Sequence, residues 1–243
     1  MSTLFISDLH LSCDEAAMTQ LFLNFLQNHA RQAEALYILG DLFETWIGDD
    51  NLSPYHQMII TALAELSAKG VRVYFMPGNR DFLIGKNFIQ QTACHFLEDP
   101  SVINLYGIST LLTHGDRWCT LDKPYLRYRR WSRNPFSKYL FLHLPLAFRQ
   151  KIAHYLRHRA HSNLEPLETQ YDVILPDLLA YLTHYPNTQR IIHGHTHRPS
   201  IQLIKKTDNT WIHRFVLSDW HATQGNVLVA LPNQTLSLIY FSG

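Results

Sequence analysis

Cysteine is scarce in this chain: three in 243 residues, at positions 13, 94 and 119. An odd, widely spaced set builds no disulfide framework, and a reducing compartment is expected. Long apolar runs are missing too; none approaches the ~20 residues that a bilayer-spanning helix needs. Met1 to Ile6 lack the basic start and extended apolar core of a signal peptide, and the chain turns polar directly afterwards. Bulk charge is close to nil at +1, so composition alone points to no class of partner. Repeats and low-complexity tracts are absent. What remains is an ordinary composition, 46% hydrophobic and 17% charged. The length suits one large domain, or one domain with an insertion.

One absence is local. Residues 117–161 hold 11 of the 21 Lys and Arg but a single acid, Asp122. That segment carries +10 and the remainder −9. Such a split points to a separate element facing an anionic partner. The segment is also aromatic, with Tyr125, Tyr128, Trp131, Phe136, Tyr139, Phe141, Phe148 and Tyr155. Arg interleaved with Trp and Tyr suits single-stranded nucleic acid. The apolar run from Leu140 to Phe148 favours lipid instead. Contact with membrane lipid through residues 122–165 is therefore expected, nucleic acid is not, and the chain is read as a monomer.

Hydrophobic periodicity predicts strands at Thr3–Ser7, Ala35–Leu39, Val71–Met76 and Ser109–Thr113. Helices are expected over Ala16–Arg31, from Ser53-Pro54 to about Lys69, over 122–161, and around Tyr171–Tyr185. Arg190–His193, Ile201–Lys205, Trp211–Leu217, Asn226–Leu231 and Leu236–Phe241 read as further strands. The opening is thus β-α-β-α-β, which calls for parallel strands with helical crossovers.

The segment Ile191-Ile192-His193-Gly194-His195-Thr196-His197 ends a strand with two imidazoles two residues apart. Residues so spaced in extended chain point the same way. His193 is read as a structural neighbour. Four other strand ends carry comparable groups: Asp8 and His10, Asp41, Asn79, and His114. Carboxylate, amide oxygen and imidazole suit Mn²⁺, Fe²⁺ or Zn²⁺. The lack of Cys among them argues against a closed structural zinc site. Seven ligands are too many for one ion and suit two, with Asp41 as the candidate bridge. Two ions ~3.5–4 Å apart can hold a phosphoryl group and its attacking hydroxide together.

Asp8-Leu9-His10, Gly40-Asp41, Gly78-Asn79-Arg80-Asp81, His114-Gly115-Asp116 and Gly194-His195-Thr196-His197 resemble, in order and spacing, the five motifs of calcineurin-like metallophosphoesterases. The family usually has His after the Asn of its third motif; this chain has Arg80. The segments 41–50 and 78–83, with the basic-aromatic insert, resemble the UDP-2,3-diacylglucosamine pyrophosphatases of lipid A biosynthesis. The resemblance implies an α/β sandwich of two mixed β-sheets flanked by helices, with a helical lid inserted at 122–165 in a single domain, 1–243. It implies two Mn²⁺ per chain and a peripheral place on the cytoplasmic face of a Gram-negative inner membrane. Asp8, His10, Asp41 and His197 would hold one ion; Asp41, Asn79, His114 and His195 would hold the other. Asp41, Asn79, Arg80, His114 and His195 would be catalytic. Asn79, Arg80, Asp122 and His195 would touch UDP-2,3-diacylglucosamine. The lid departs from the pattern, since a usual Lys is missing and Pro166 breaks the helix; Arg157, Ser162 and Asn163 are the candidates there. Asp81 and Asp116 are expected to orient His ligands, while Glu44, Asp49 and Asp50 are read as solvated loop charges. The expected reaction is attack of activated water on the α-phosphorus, giving UMP and 2,3-diacylglucosamine 1-phosphate. The alternative is a dinuclear pyrophosphatase or phosphodiesterase acting on another nucleotide-linked substrate.

Overall fold

The computed structural model describes residues 1–162 and 172–242, with only the helical backbone described for 157–162. Strands β1 (Thr3–Ile6), β2 (Ala35–Leu39) and β3 (Arg72–Met76) are parallel neighbours. Their alternating side chains face two different layers. Leu4, Ile6, Leu36, Ile38, Val73 and Phe75 pack against α1 (Ala16–Asn28), α2 (Pro54–Ala68) and α3 (Lys86–Thr92). Phe5, Ala35, Tyr37, Leu39 and Met76 pack against a second sheet. Burial on both faces is why these strands read as unbroken apolar runs.

The first sheet is completed by β4 (His95–Phe96), β10 (Gly225–Ala230) and β11 (Leu236–Phe241), in the order β11-β10-β1-β2-β3-β4. The second contains β5 (Ser101–Leu105), β6 (Ile108–Thr113), β7 (Arg190–His193), β8 (Ser200–Lys205) and β9 (Trp211–Val216). Its order is β5-β6-β7-β9-β8, with the two edge strands antiparallel to their neighbours. Helix α7 (Leu175–Leu182) covers its outer face, where Leu178 and Leu182 meet Leu111, Ile191 and Ile212. Two mixed sheets flanked by helices is the expected fold class.

The basic segment forms α4 (Lys123–Ser132), α5 (Pro135–Leu142) and α6 (Leu146–Ser162). Asp122 and Asn134 each accept a hydrogen bond from a backbone amide of the helix they precede, and a Pro lies in the first turn of both α4 and α5. Proline cannot continue a preceding helix but suits the start of the next. Asn134-Pro135 and Leu144-Pro145 therefore divide what the periodicity reads as one helical stretch. Helix α1 also stops earlier than expected, giving way to a 3₁₀ turn over Ala30–Gln32. Helix α3 and strands β4 and β5 were not expected. Seven and two residues are too few for a periodic signal in α3 and β4, and β5 is a half-exposed edge strand.

Candidate metal centre and the cavity beside it

All seven predicted ligands follow the carboxyl ends of β1, β2, β3, β6 and β7, the edge where open α/β sheets gather functional groups. The loops carrying them are tied to one another. Asp8 N donates to Gly40 O at 3.1 Å, His10 N to Asp41 O at 2.9 Å, and Gly194 N to His114 O at 3.0 Å. His195 N donates to Asp8 Oδ2 at 2.8 Å. Asp8, His10, Asp41, His195 and His197 all adopt left-handed backbone, with φ between 50° and 69°. That conformation costs a non-glycine residue ~1–2 kcal/mol, so the inter-loop bonds hold strain that aims five side chains inward. Gly78 and Gly194 make room: a Cβ would lie 2.1 Å from Asp41 Oδ1 in one case and 2.2 Å from Asp8 Oδ2 in the other.

Two clusters result, Asp8 with His10 and His197, and Asp41 with His114 and His195, each with ligand atoms within 4.8 Å of one another. Asn79 Oδ1 joins the second, 2.8 Å from His114 Nε2 and 2.9 Å from His195 Nδ1. Asp41 stands between the clusters. Its Oδ1 accepts from Arg80 N at 2.8 Å, while Oδ2 lies 3.9 Å from His10 Nε2 and 3.7 Å from His114 Nε2.

The donor set fits divalent cations on the structure's own terms. Asp8 Oδ1 is buried with no hydrogen-bond partner, 3.6 Å from His197 Nε2. Leaving a buried acceptor unpaired costs about 1–3 kcal/mol, and more when it is charged; a cation removes that cost. Burial opposes ionisation of Asp8, but His197, His114 and His10 outweigh it and hold the carboxyl well below its usual range. Burial and the neighbouring His114 lower His195 to about 4, which keeps that imidazole in the neutral form that ligates metals. Burial also disfavours a charged His114, yet Asp41, Asp8 and Asp116 together hold it up at about 9.

Carboxylates that orient the histidines are not the two expected. Glu44 Oε2 lies 3.0 Å from His10 Nδ1 and its Oε1 3.6 Å from Arg80 Nη1. Asp219 Oδ2 lies 3.4 Å from His197 Nδ1. A carboxylate on the second ring nitrogen fixes tautomer and orientation. Asp219 had a legible signal, since it follows β9 as the ligands follow the other strands. Asp81 instead accepts from the backbone amides of Gly78 and Leu42 at 2.7 and 2.8 Å, tying the β2 and β3 loops together. Asp116 accepts from Tyr125 Oη, Arg129 Nε and Arg133 Nη2, all from the insert. Asp49 is not a free solvated charge either, and Asp50, though largely exposed, is paired. Asp49 accepts from Trp46 Nε1 and from the amides of Gly85, Asn87 and Phe88 at the start of α3. Asp50 forms a two-pronged ion pair with Arg149 of α6. His193 is buried, accepts from Arg214 Nε at 2.9 Å and is lowered to about 3 by burial and by Arg214, a structural role as read from the sequence.

A cavity of about 1180 Å³ opens beside the clusters. Trp46, Phe82 and Leu83 wall it from the body, and Tyr128, Trp131, Leu140, Ile152 and Leu156 from the insert. Asn79, Arg80, Asp122 and His195, the four residues matched to substrate contact, all line it. The side chains of Arg157 and Ser162, and all of Asn163, lie outside the described residues.

Comparison with known proteins agrees with this geometry. A family profile described as calcineurin-like phosphoesterase matches residues 1–199. A UDP-2,3-diacylglucosamine hydrolase of Pseudomonas paraeruginosa is 46% identical over 220 residues, covering 90% of this chain and 91% of its own. One of Photobacterium profundum is 46% identical over 233 residues, covering 96% and 94%. With the motif order, the two ligand clusters and this extent of identity in agreement, the chain belongs to the calcineurin-like phosphoesterase family.

Proposed function

We propose that this enzyme hydrolyses the pyrophosphate bond of UDP-2,3-diacylglucosamine, releasing UMP and 2,3-diacylglucosamine 1-phosphate for lipid A biosynthesis. The observation that carries the reading is the junction of two ligand clusters, shared through Asp41, with a large apolar cavity. A substrate with a diphosphate at one end and two acyl chains at the other needs both.

Asp8, His10, Asp41 and His197 would hold one ion, and Asp41, Asn79, His114 and His195 the other; Mn²⁺ is the expected metal. Such a pair, when bound, orients the phosphoryl group and makes water acidic enough to act near neutral pH. The protein's own groups do the rest. Asp41 keeps Oδ2 directed to both clusters because Arg80 N occupies Oδ1. Glu44 and Asp219 hold the rings of His10 and His197. Arg80 lines the cavity with a side chain one-third exposed, and its guanidinium would meet a phosphate oxygen there. The leaving group is itself a phosphate, so it needs charge neutralisation more than a proton. A fixed guanidinium supplies that, which accounts for Arg80 where the third motif of the wider family usually has His. Attack falls on the phosphorus that bears uridine, in line with the sugar phosphate.

The inserted helices form a lid that takes the acyl chains and meets the membrane. Trp131, Phe136, Phe148 and Tyr155 are each at least 60% exposed on it. No described helix is long and apolar enough to cross a membrane, which is compatible with peripheral attachment to the cytoplasmic face of a Gram-negative inner membrane. The test is UMP release from UDP-2,3-diacylglucosamine in detergent micelles, with Mn²⁺ and again after chelation. Release that chelation abolishes is expected. Equal turnover of soluble UDP-sugars would overturn the acylated substrate, and turnover without metal would overturn the mechanism.

A further inference from the structure

Much of the insert's positive charge is spent inward. Arg133 Nη2 donates to Gly78 O at 2.8 Å and to Asp116 Oδ2 at 3.2 Å. Gly78 directly precedes the ligand Asn79, and Asp116 lies two residues after the ligand His114. One nitrogen thus spans the β3 and β6 loops at the place where their ligand atoms, Asn79 Oδ1 and His114 Nε2, stand 2.8 Å apart. The grip has a second point. Lys138 Nζ donates to Phe82 O at 2.8 Å, on the far side of the Asn79–Asp81 turn. Both cations also lie over the Phe82 ring, 5.8 and 5.5 Å from its centroid. The turn packs close against Asp41, where a Cβ at Gly78 would lie 2.1 Å from Asp41 Oδ1.

We propose that Arg133 is a positioning residue for the second metal ion: it fixes the spacing of Asn79 and His114 from the inserted helices. The inference rests on the two-ion reading above. It makes the insert part of the apparatus that shapes the metal centre as well as a cover for the cavity. Residues that hold metal ligands in place typically change affinity about 10–100-fold when removed. Field effects alone have the opposite sign, because deleting a nearby cation favours binding of another.

The experiment is titration of metal-free protein with Mn²⁺, read by calorimetry and by electron paramagnetic resonance. Arg133→Ala is expected to weaken one of two equivalents by about tenfold and to leave the other within about twofold. Arg133→Lys, which keeps the charge without the fork, should recover part of the loss. Arg130→Ala removes the same charge from an exposed site on the same helix and should not weaken either equivalent. Circular dichroism and melting of each metal-free variant separate misfolding from misplacement, and Arg133→Lys carries the test if Arg133→Ala fails to fold. Two equivalents bound by the variants as in the wild type, or more tightly, would overturn the positioning role alone, even if turnover fell. A wild-type chain that takes up no Mn²⁺ would overturn the two-ion reading and this inference with it.

Discussion

Arg80 is held by its backbone to Asp41 and faces the cavity with its side chain, so its two ends are separable by mutation. Arg80→Ala keeps the amide that fixes Asp41 and deletes only the guanidinium. Turnover is expected to fall by about 10²–10³-fold, the usual effect of losing one preorganised charge-stabilising donor. Metal content measured by atomic emission should stay at the wild-type level; loss of metal would make Arg80 a structural residue. Lys138 offers a pH test. Burial, with help from Arg133, lowers it to about 8, against 10.5 in an unfolded chain. Between those values the unfolded state binds more protons, so stability rises with pH from about 8 to 10.5 through this group. Comparison with Lys138→Met cancels the other titrations: the melting temperature of the wild type, relative to that variant, should climb across this window. A flat difference would place Lys138 in water. At this scale the sequence was legible where a residue's position follows from its place at a strand end, as with all seven candidate ligands, which the structure gathers into two clusters. Glu44, Asp49 and Asp50 were not legible, because their partners (His10, the start of α3, and Arg149) come from other loops and helices.

Helix α6 is fastened to the β2 loop by Arg149, whose side chain is 2% exposed although its partner Asp50 is 62% exposed. The guanidinium also donates to Ile47 O at 2.7 Å and to Leu144 O at 3.1 Å. Truncation leaves a buried carbonyl without a donor, at about 1–3 kcal/mol. A chain of this size loses about 2–4 °C in melting temperature per kcal/mol, so Arg149→Ala should melt several degrees lower. Because α6 walls the cavity, KM for the diacylated substrate should rise more than KM for a soluble phosphoanhydride. Equal changes would mean that the helix does not contact the acyl chains. The sequence located this element by composition alone. Its division into three helices was written in Asn134-Pro135, a capping residue before a first-turn proline, and in Leu144-Pro145, where proline cannot continue the preceding helix. The short elements α3 and β4 left no such mark; α3 is defined at its start by Asp49, 36 to 39 residues away from the amides it caps.

For the molecule as a whole, the uneven charge seen in the sequence takes a different meaning in the fold. The segment's +10 suggests an outward surface for anionic lipid. Yet Arg129, Arg133, Lys138 and Arg149 bond to Asp99, Asp116, Asp50 and backbone carbonyls of the body. Those cations are already neutralised or hydrogen-bonded, so the membrane attraction proposed above would draw on a smaller charge than the sequence count. The exposed aromatic residues would then supply a larger share, and apolar insertion is little affected by salt, whereas exposed charge is screened. Sedimentation with vesicles of mixed anionic and zwitterionic lipid distinguishes the two contributions. Binding is expected to weaken but persist when salt is raised from 0.1 to about 0.5 M, a range over which purely electrostatic attraction is largely screened. The double variant Phe148→Ser with Tyr155→Ser, both outside the cavity wall, should lose most of the salt-resistant fraction. Complete release by salt would instead assign attachment to the remaining surface cations. In that case the inward-facing arginines and lysine would be the reason the attachment is weak.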